Sequence, residues 1–365
     1  MSSDGLGLSR RFYEQLVGPV LDVHFPHVPY SAARIGWGSE VLGYDTNIST
    51  DHDFGPTVQI FLSDSLFPVC AGQIMQKFDT VLPAQFEGFN VCYSSVSRPP
   101  GAEYKQPGML GSFHGVEFYT VTAWFERFFR ESYKTEYSIQ SWLGYSEQLL
   151  LTVTAGAVFR DDTGELTALR KRLSYFPRDV WLYKLSVQWG LIAEESEYVG
   201  RAGEVGDELG SRVIAARMVE KIMRLAFLIE QRYAPYPKWF GSAFSALDCA
   251  DDLCLLLEKV LLSKIWQQRE DLLRQACQYM AELQLKKQIP GATKPSVTSR
   301  YSRPFKYIDS LQISNSLKSA IIDKDLREMS EFGGAEQIIS SNFIRSSPVY
   351  SRVVVSVLQS IDKHV

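Results

Sequence analysis

Cysteine is scarce. Five occur in 365 residues, at positions 70, 92, 249, 254 and 277, and no Cys-x-x-Cys pair is present. An odd, scattered set argues against a disulfide framework and a zinc site, and points to a reducing cytoplasm. Long apolar runs are missing as well. The longest, residues 149–159, is interrupted by Thr152 and Thr154, and spanning a bilayer takes about 20 residues. Residues 12–23 contain Glu14 and Asp22, so they do not read as a secretory segment. Nor is there an excess of positive charge: 38 Lys and Arg stand against 42 Asp and Glu, for a formal charge of −4. That balance argues against nucleic acid as the main partner, although a local basic strip such as Arg170-Lys171-Arg172 with Lys286 and Lys287 stays open. The pair His24 and His27 flanks Pro26 without a third ligand to complete a metal site.

Apolar residues are plentiful, at 45%, and aromatics reach 13%. A large core is therefore available, and the length suits two domains or one domain with an appendage. Residues 8–24 place Leu8, Phe12, Leu16, Val20 and Val23 at helical spacing. Residues 58–62 read as a buried strand, 64–80 as a helix with Leu66, Val69, Ile74 and Phe78 on one side, and 86–94 and 115–121 as strands. Residues 121–132 start a helix. From about residue 138 the pattern turns helical, over 139–152, 165–174, 177–196, 205–232 and 241–285, punctuated by Gly156 and the turn 161–164. Residues 286–306 read as an exposed loop, followed by helical stretches at 309–328 and 347–361. The expected fold class is α+β: an N-terminal mixed sheet with flanking helices over 1–137, a helical domain over 138–285, and a loop with a helical extension over 286–365.

The segment richest in chemistry is Gly38-Ser39, then eleven residues, then Asp51-His52-Asp53-Phe54. On a strand, Asp51 and Asp53 point the same way and His52 the other. Two carboxylates about 7 Å apart along the chain can share a pair of divalent cations, and compact oxygen-only ligation suits Mg²⁺. Glycine lets a phosphate approach the backbone, and the Ser39 hydroxyl with nearby N–H groups can hold it. The alternative is that both aspartates cap a turn beginning at Ser49-Thr50. The run Phe54-Gly55-Pro56 could end such a strand early.

This arrangement resembles the polymerase-beta type of nucleotidyltransferase superfamily. The stretches 38–45 and 49–56, with 166–170, 203–212 and 232–240, further resemble an uncharacterised bacterial family of nucleotidyltransferase-like proteins. The resemblance implies a third carboxylate on a later strand. Glu117, between apolar neighbours in Gly115-Val116-Glu117-Phe118-Tyr119, is the best match; Glu87, beside Gly88, is a weaker one, and Glu117 could equally be a surface residue on an alternating strand.

Two further constellations stand in the helical part. Glu204, Asp207, Glu208 and Arg212 include two i,i+4 pairs. They are either a solvated ion-paired face or, by resemblance to enzymes that modify small hydroxyl compounds, the source of a general base with a raised pKa. Lys238-Trp239 follows the proline-fixed turn Tyr233-Ala-Pro-Tyr236-Pro. It could neutralise a triphosphate and stack on a base, or simply anchor a helix connection.

The resulting expectation is a cytoplasmic Mg²⁺-dependent nucleotidyltransferase. It would move a nucleoside monophosphate from an NTP, with ATP the expected donor, to a hydroxyl of a small molecule or protein and release pyrophosphate. Asp51, Asp53 and Glu117 would hold two Mg²⁺ ions. Gly38, Ser39 and Lys238 would contact the nucleotide, and Glu204 or Glu208 would act as base. The rival reading is a non-catalytic nucleotide-sensing or partner-binding module of an antitoxin-like kind.

Overall fold

The computed structural model describes residues 4–46, 48, 54–91, 109–110, 114–299 and 303–361, with backbone only at 109–110 and 358–361. Its class is α+β: a small mixed sheet with helices, and a helical C-terminal region. Contacts divide the chain into two compact units, residues 1–136 with 149–174, and residues 137–148 with 175–365. The first segment of the first unit thus ends beside the expected boundary at residue 137, and residues 149–174 belong to that unit as well.

The first unit starts with α1 (Gly5–Phe12), a π-helical stretch at Tyr13–Val17 and α2 (Gly18–His24). Then come β1 (Ser31–Arg34), α3 (Ser39–Leu42), β2 (Val58–Phe61) and α4 (Phe67–Val81). A hairpin of β3 (Gln85–Phe86) and β4 (Phe89–Asn90) precedes β5 (Met109–Leu110), β6 (Val116–Tyr119) and α5 (Val121–Phe129). Helix α6 (Ile139–Gly144) and the start of α7 (Glu147–Thr154) lie in the second unit; the rest of α7, β7 (Ala157–Asp161) and α8 (Glu165–Arg172) return to the first.

Five strands form one sheet in the order β5-β6-β2-β1-β7. Only β2 and β6 run parallel; the other neighbours are antiparallel. Val58, Ile60, Val116, Phe118 and Ala32 point to one face, where Leu8, Phe12, Val17 and Leu21 of the N-terminal helices and Ile74 and Phe78 of α4 bury them. The π stretch adds a residue to one helical turn and shifts the apolar stripe. Tyr13, Val17 and Leu21 therefore face the core, whereas Val23, placed on the stripe by uniform periodicity, is exposed. Val69 is likewise exposed on α4, where Ala71, Ile74 and Phe78 make the buried side.

Strand β7 stands in the interval that the sequence pattern left between helical stretches at 139–152 and 165–174, where no strand was expected. Gly156 makes the switch possible. Its φ is +68°, and a Cβ there would fall 2.1 Å from the Arg34 carbonyl oxygen, so only glycine lets the chain leave α7 this close to β1. The end of α7 is closed by Arg170, whose guanidinium donates to the carbonyls of Val153, Thr154 (3.0 Å) and Ala155 (2.8 Å). Carbonyls left open at a helix C-terminus attract such a cation. Arg170 is thus committed to a helix end rather than to a solvated basic face.

The second unit continues with α9 (Arg178–Glu195), α10 (Tyr198–Glu204), α11 (Glu208–Ile229), α12 (Pro237–Phe244), α13 (Ala250–Leu262) and α14 (Trp266–Lys286). A two-stranded ribbon of β8 (Val297–Thr298) and β9 (Tyr307–Ile308) leads to α15 (Ser310–Ser319), α16 (Lys324–Glu328), α17 (Ala335–Ile338), α18 (Asn342–Arg345) and α19 (Pro348–Ile361). Among the described residues no helix is long and apolar enough to cross a membrane.

Candidate active site

The face of the sheet opposite the main core carries Gln59 and Phe61 of β2, and Glu117 and Tyr119 of β6. Gln59 pairs in register with Glu117, and Phe61 with Tyr119, so each pair projects to one side. Phe61 meets Trp124 of α5 edge-on at 6.2 Å between ring centres, and helix α5 thereby covers part of this face. Glu117 itself is half-buried between Val116 and Phe118, which point the other way. Its Oε2 accepts a hydrogen bond from the Tyr119 hydroxyl at 3.1 Å.

Gln59 connects this face to the Gly-Ser turn. Its side-chain oxygen accepts from the Ile35 N–H at 3.0 Å, and its amide nitrogen donates to the Ile35 carbonyl at 3.0 Å. Ile35 is the first residue past β1, and Gly36-Trp37-Gly38 follows before α3 begins at Ser39. Gly36 (φ +102°) and Gly38 (φ +144°) adopt backbone angles that side chains rarely reach. Gly38 also lies so close to the Glu40 carboxylate that a Cβ would stand 2.4 Å from its oxygen.

Arg34 stitches the same turn from the other side. It pairs with Glu40 and donates to the carbonyls of Ile35 (3.2 Å) and Trp37 (3.4 Å). Its Nε is buried without a hydrogen-bond partner among the described residues. The start of α1 closes the turn. Gly5 donates to Asp45 at 2.7 Å, and a Cβ at Gly5 would meet Glu40 and Phe54 at 2.7 and 2.9 Å. Arg34, Glu40 and Gln59 were not singled out by sequence reasoning. Only Arg34 and Glu40 carried a signal, as opposite charges flanking two glycines six residues apart.

Gly38, Ser39 and Glu117 therefore belong to one unit: Gln59 is hydrogen-bonded to Ile35 at the start of the turn and stands beside Glu117 in strand register. Asp51 and Asp53, the first two carboxylates of the expected metal site, lie outside the described residues. Strand β2 begins at Val58, five residues beyond Asp53. Among the described residues no group of three or more His, Cys, Asp or Glu side chains is arranged to hold a metal. The chemistry of Glu117 suits a hard cation, since it offers carboxylate oxygen.

The remaining expected residues lie in the second unit. Asp207 caps α11 by accepting from the Gly210 N–H at 2.7 Å. Glu208 pairs with the fully buried Arg269, and this bond holds its carboxyl below the ordinary range, opposite to the direction a general base needs. Glu204 is exposed at the end of α10. Lys238 is exposed, its ammonium 4.8 Å above the Trp239 ring. The preceding turn is anchored: Ala234 N–H donates to Glu147 at 2.8 Å, Tyr236 N–H to Gln148 at 2.9 Å, and Tyr233 stacks on Tyr175 at 5.1 Å.

A block of the chain that takes in residues of both units matches a family model. Residues 142–240, from α6 into α12, match the model described as a domain of unknown function (DUF4037). Among solved structures the chain is similar to a nucleotidyltransferase-like protein from Exiguobacterium sibiricum, with 12% identity and a TM-score of 0.32 over 80% of this chain and 83% of the other. Comparison with curated proteins returns no match.

Proposed function

We propose that the protein is a metal-dependent nucleotidyltransferase whose active site lies on the α5-covered face of the sheet in the first unit. The observation that carries this reading is the coupling of the Gly36–Ser39 turn to Glu117 through Gln59. A glycine turn leading into α3 offers backbone N–H groups to phosphate oxygens, and the half-buried carboxylate lies on the same face. The chain joining α3 to β2 contains Asp51 and Asp53, and two of its described residues, Asp45 and Phe54, both lie against Gly5 beside Glu40.

In this scheme Asp51, Asp53 and Glu117 would hold Mg²⁺, which neutralises triphosphate charge and acidifies an acceptor hydroxyl when bound. Gly38 and Ser39 would hold the outer phosphates. The Arg34–Glu40 pair keeps the turn in shape, and the Trp124 side of the face limits water. The transferred group would be a nucleoside monophosphate, the leaving group pyrophosphate, and the acceptor a hydroxyl of a small molecule or protein.

The test is calorimetric titration of each NTP with and without Mg²⁺, on the unmodified protein, on Asp51→Asn/Asp53→Asn and on Glu117→Gln. Mg²⁺-dependent binding that both variants lose supports the reading. A folded protein that binds no NTP overturns it and moves the weight to a partner-binding role.

A further inference from the structure

We propose that the second unit carries a separate binding groove for a small organic phosphate, built on α10. The groove has a volume of about 800 Å³ and is lined by Tyr198, Arg201, Glu204, Arg217, Arg303 and Phe305. Three guanidinium groups thus face one concavity of the size that takes a small molecule.

The groove is pre-formed by close packing along the Gly200–Gly203 side of α10. Gly200 and Gly203 approach their neighbours so tightly that a Cβ would stand 2.6 Å from Phe305 and 2.1 Å from Trp266. Phe305 is itself buried and meets Trp266 at 5.9 Å between ring centres. Residues 303–305 are therefore seated against α10, and Arg303 follows the seat.

Two carboxylates behind the lining aim the arginines. Glu197, 4% exposed, pairs with Arg303 at 3.2 Å and Arg201 at 3.8 Å. Glu195 pairs with Arg217 and, at 3.3 Å, with Lys221. Each guanidinium has several N–H donors and keeps a partly exposed edge: Arg201, Arg217 and Arg303 are 44%, 54% and 40% exposed. Planar donor forks on several sides match the multiple oxygens of a phosphate ester better than a single carboxylate. Tyr198, 41% exposed, has the Arg201 guanidinium 5.6 Å from its ring centre and offers its remaining exposed aromatic surface to the organic portion. Among the described residues Glu204 is the one acidic lining residue, and it opposes the anion.

The test titrates AMP into Asp51→Asn/Asp53→Asn protein in EDTA, so that a Mg²⁺-dependent nucleotide site contributes nothing. Adenosine is the uncharged control, and inorganic pyrophosphate probes the phosphate part alone. Saturable AMP binding, weaker by about tenfold or more in Arg217→Ala and in Arg303→Ala, and tighter in Glu204→Gln, is the expected result. Adenosine should not compete. Thermal melting of each variant checks that the fold is kept. The proposal is overturned by absence of saturation at about 10 mM AMP, by arginine variants that bind as well as the parent, or by weaker binding in Glu204→Gln.

Discussion

Replacing Gln59 by leucine tests whether the sheet holds the glycine turn. The substitution keeps an apolar volume in a buried position but removes both arms of the clamp on Ile35. The Ile35 carbonyl keeps one donor, Arg34 at 3.2 Å. Its N–H, in a fully buried residue, loses the acceptor it had at 3.0 Å. One stranded buried donor costs about 1–3 kcal/mol. Taking about 2 kcal/mol, opening of the β1 end becomes roughly 30-fold more frequent. Hydrogen exchange read by mass spectrometry should show this as faster exchange in peptides spanning residues 31–38, with peptides from α9 unchanged. Gln59→Glu separates the two arms. The new carboxylate can still accept the Ile35 N–H, but it offers no donor to the carbonyl and stands in register beside Glu117. It too should accelerate exchange, and like-charge repulsion adds to the effect. Unchanged exchange over 31–38 in both variants would refute the claim that Gln59 positions the turn.

Two other outcomes follow from buried charge. Burial beside Phe78 pushes His114 down to about 4 from its ordinary 6.5, against the opposing pull of Asp79 at 3.6 Å. The unfolded chain therefore takes up this proton first. The contribution is full above about pH 6.5, is lost as pH falls towards 4, and amounts to something on the order of 3 kcal/mol; His114→Gln should flatten that stretch of a urea-midpoint-against-pH curve. In the second unit, Glu147→Gln leaves the fully buried Lys184 without its carboxylate at 3.8 Å and should lower stability by about 3 kcal/mol or more, whereas Glu147→Gln with Lys184→Met should recover most of the loss in thermal melting.

The positions that sequence reasoning placed well were those where periodicity and buried environment agree. Strand β2 was legible because Val58, Ile60 and Phe61 sit in an apolar run. Strand β6 was legible because Glu117 is flanked by core residues. The N-terminal helix was legible as a helix but not in its phase, because one π turn moves every later side chain. Strand β7 was hidden because its neighbours in the chain are helical, and its partner β1 lies more than a hundred residues away. The site shows the same division. Gly38 stood out because a Gly-Ser pair ahead of Asp51-His52-Asp53 fits a phosphate-binding turn, and the structure gives it a positive φ of +144°. Gln59 did not, because its role is a pair of backbone hydrogen bonds set by strand register.

The second unit shows why charged residues there were hard to read. Helix α9 is buried over ten consecutive residues, from Val180 to Trp189. A helix enclosed on all sides has no polar face to reveal its orientation. Its polar groups must instead find partners on the surrounding elements. Ser186 donates to the Ser314 carbonyl at 3.0 Å, and Gln188 to the Lys221 carbonyl at 2.9 Å. Trp189 donates to Gln284 at 2.7 Å. Lys184, pushed down by burial, has Glu147 nearby and the Phe176 ring at 4.6 Å. Burial pushes Glu147 up, while Arg224 and Arg345 outweigh burial and hold Glu336 down. Ser186, Gln188, Trp189 and Lys184 thus each select a different neighbour: α15, α11, α14 and the start of α7. Hydrophobic burial alone would accept several arrangements of helices around α9. The polar partners distinguish among them, since a helix in the wrong place strands a buried donor or charge. Glu147 also accepts from Ala234, so the same carboxylate that faces Lys184 fixes the turn before Lys238. The turn residues Tyr233, Ala234 and Tyr236 are thereby tied to the interior of their own unit, while Lys238 beyond them stays exposed.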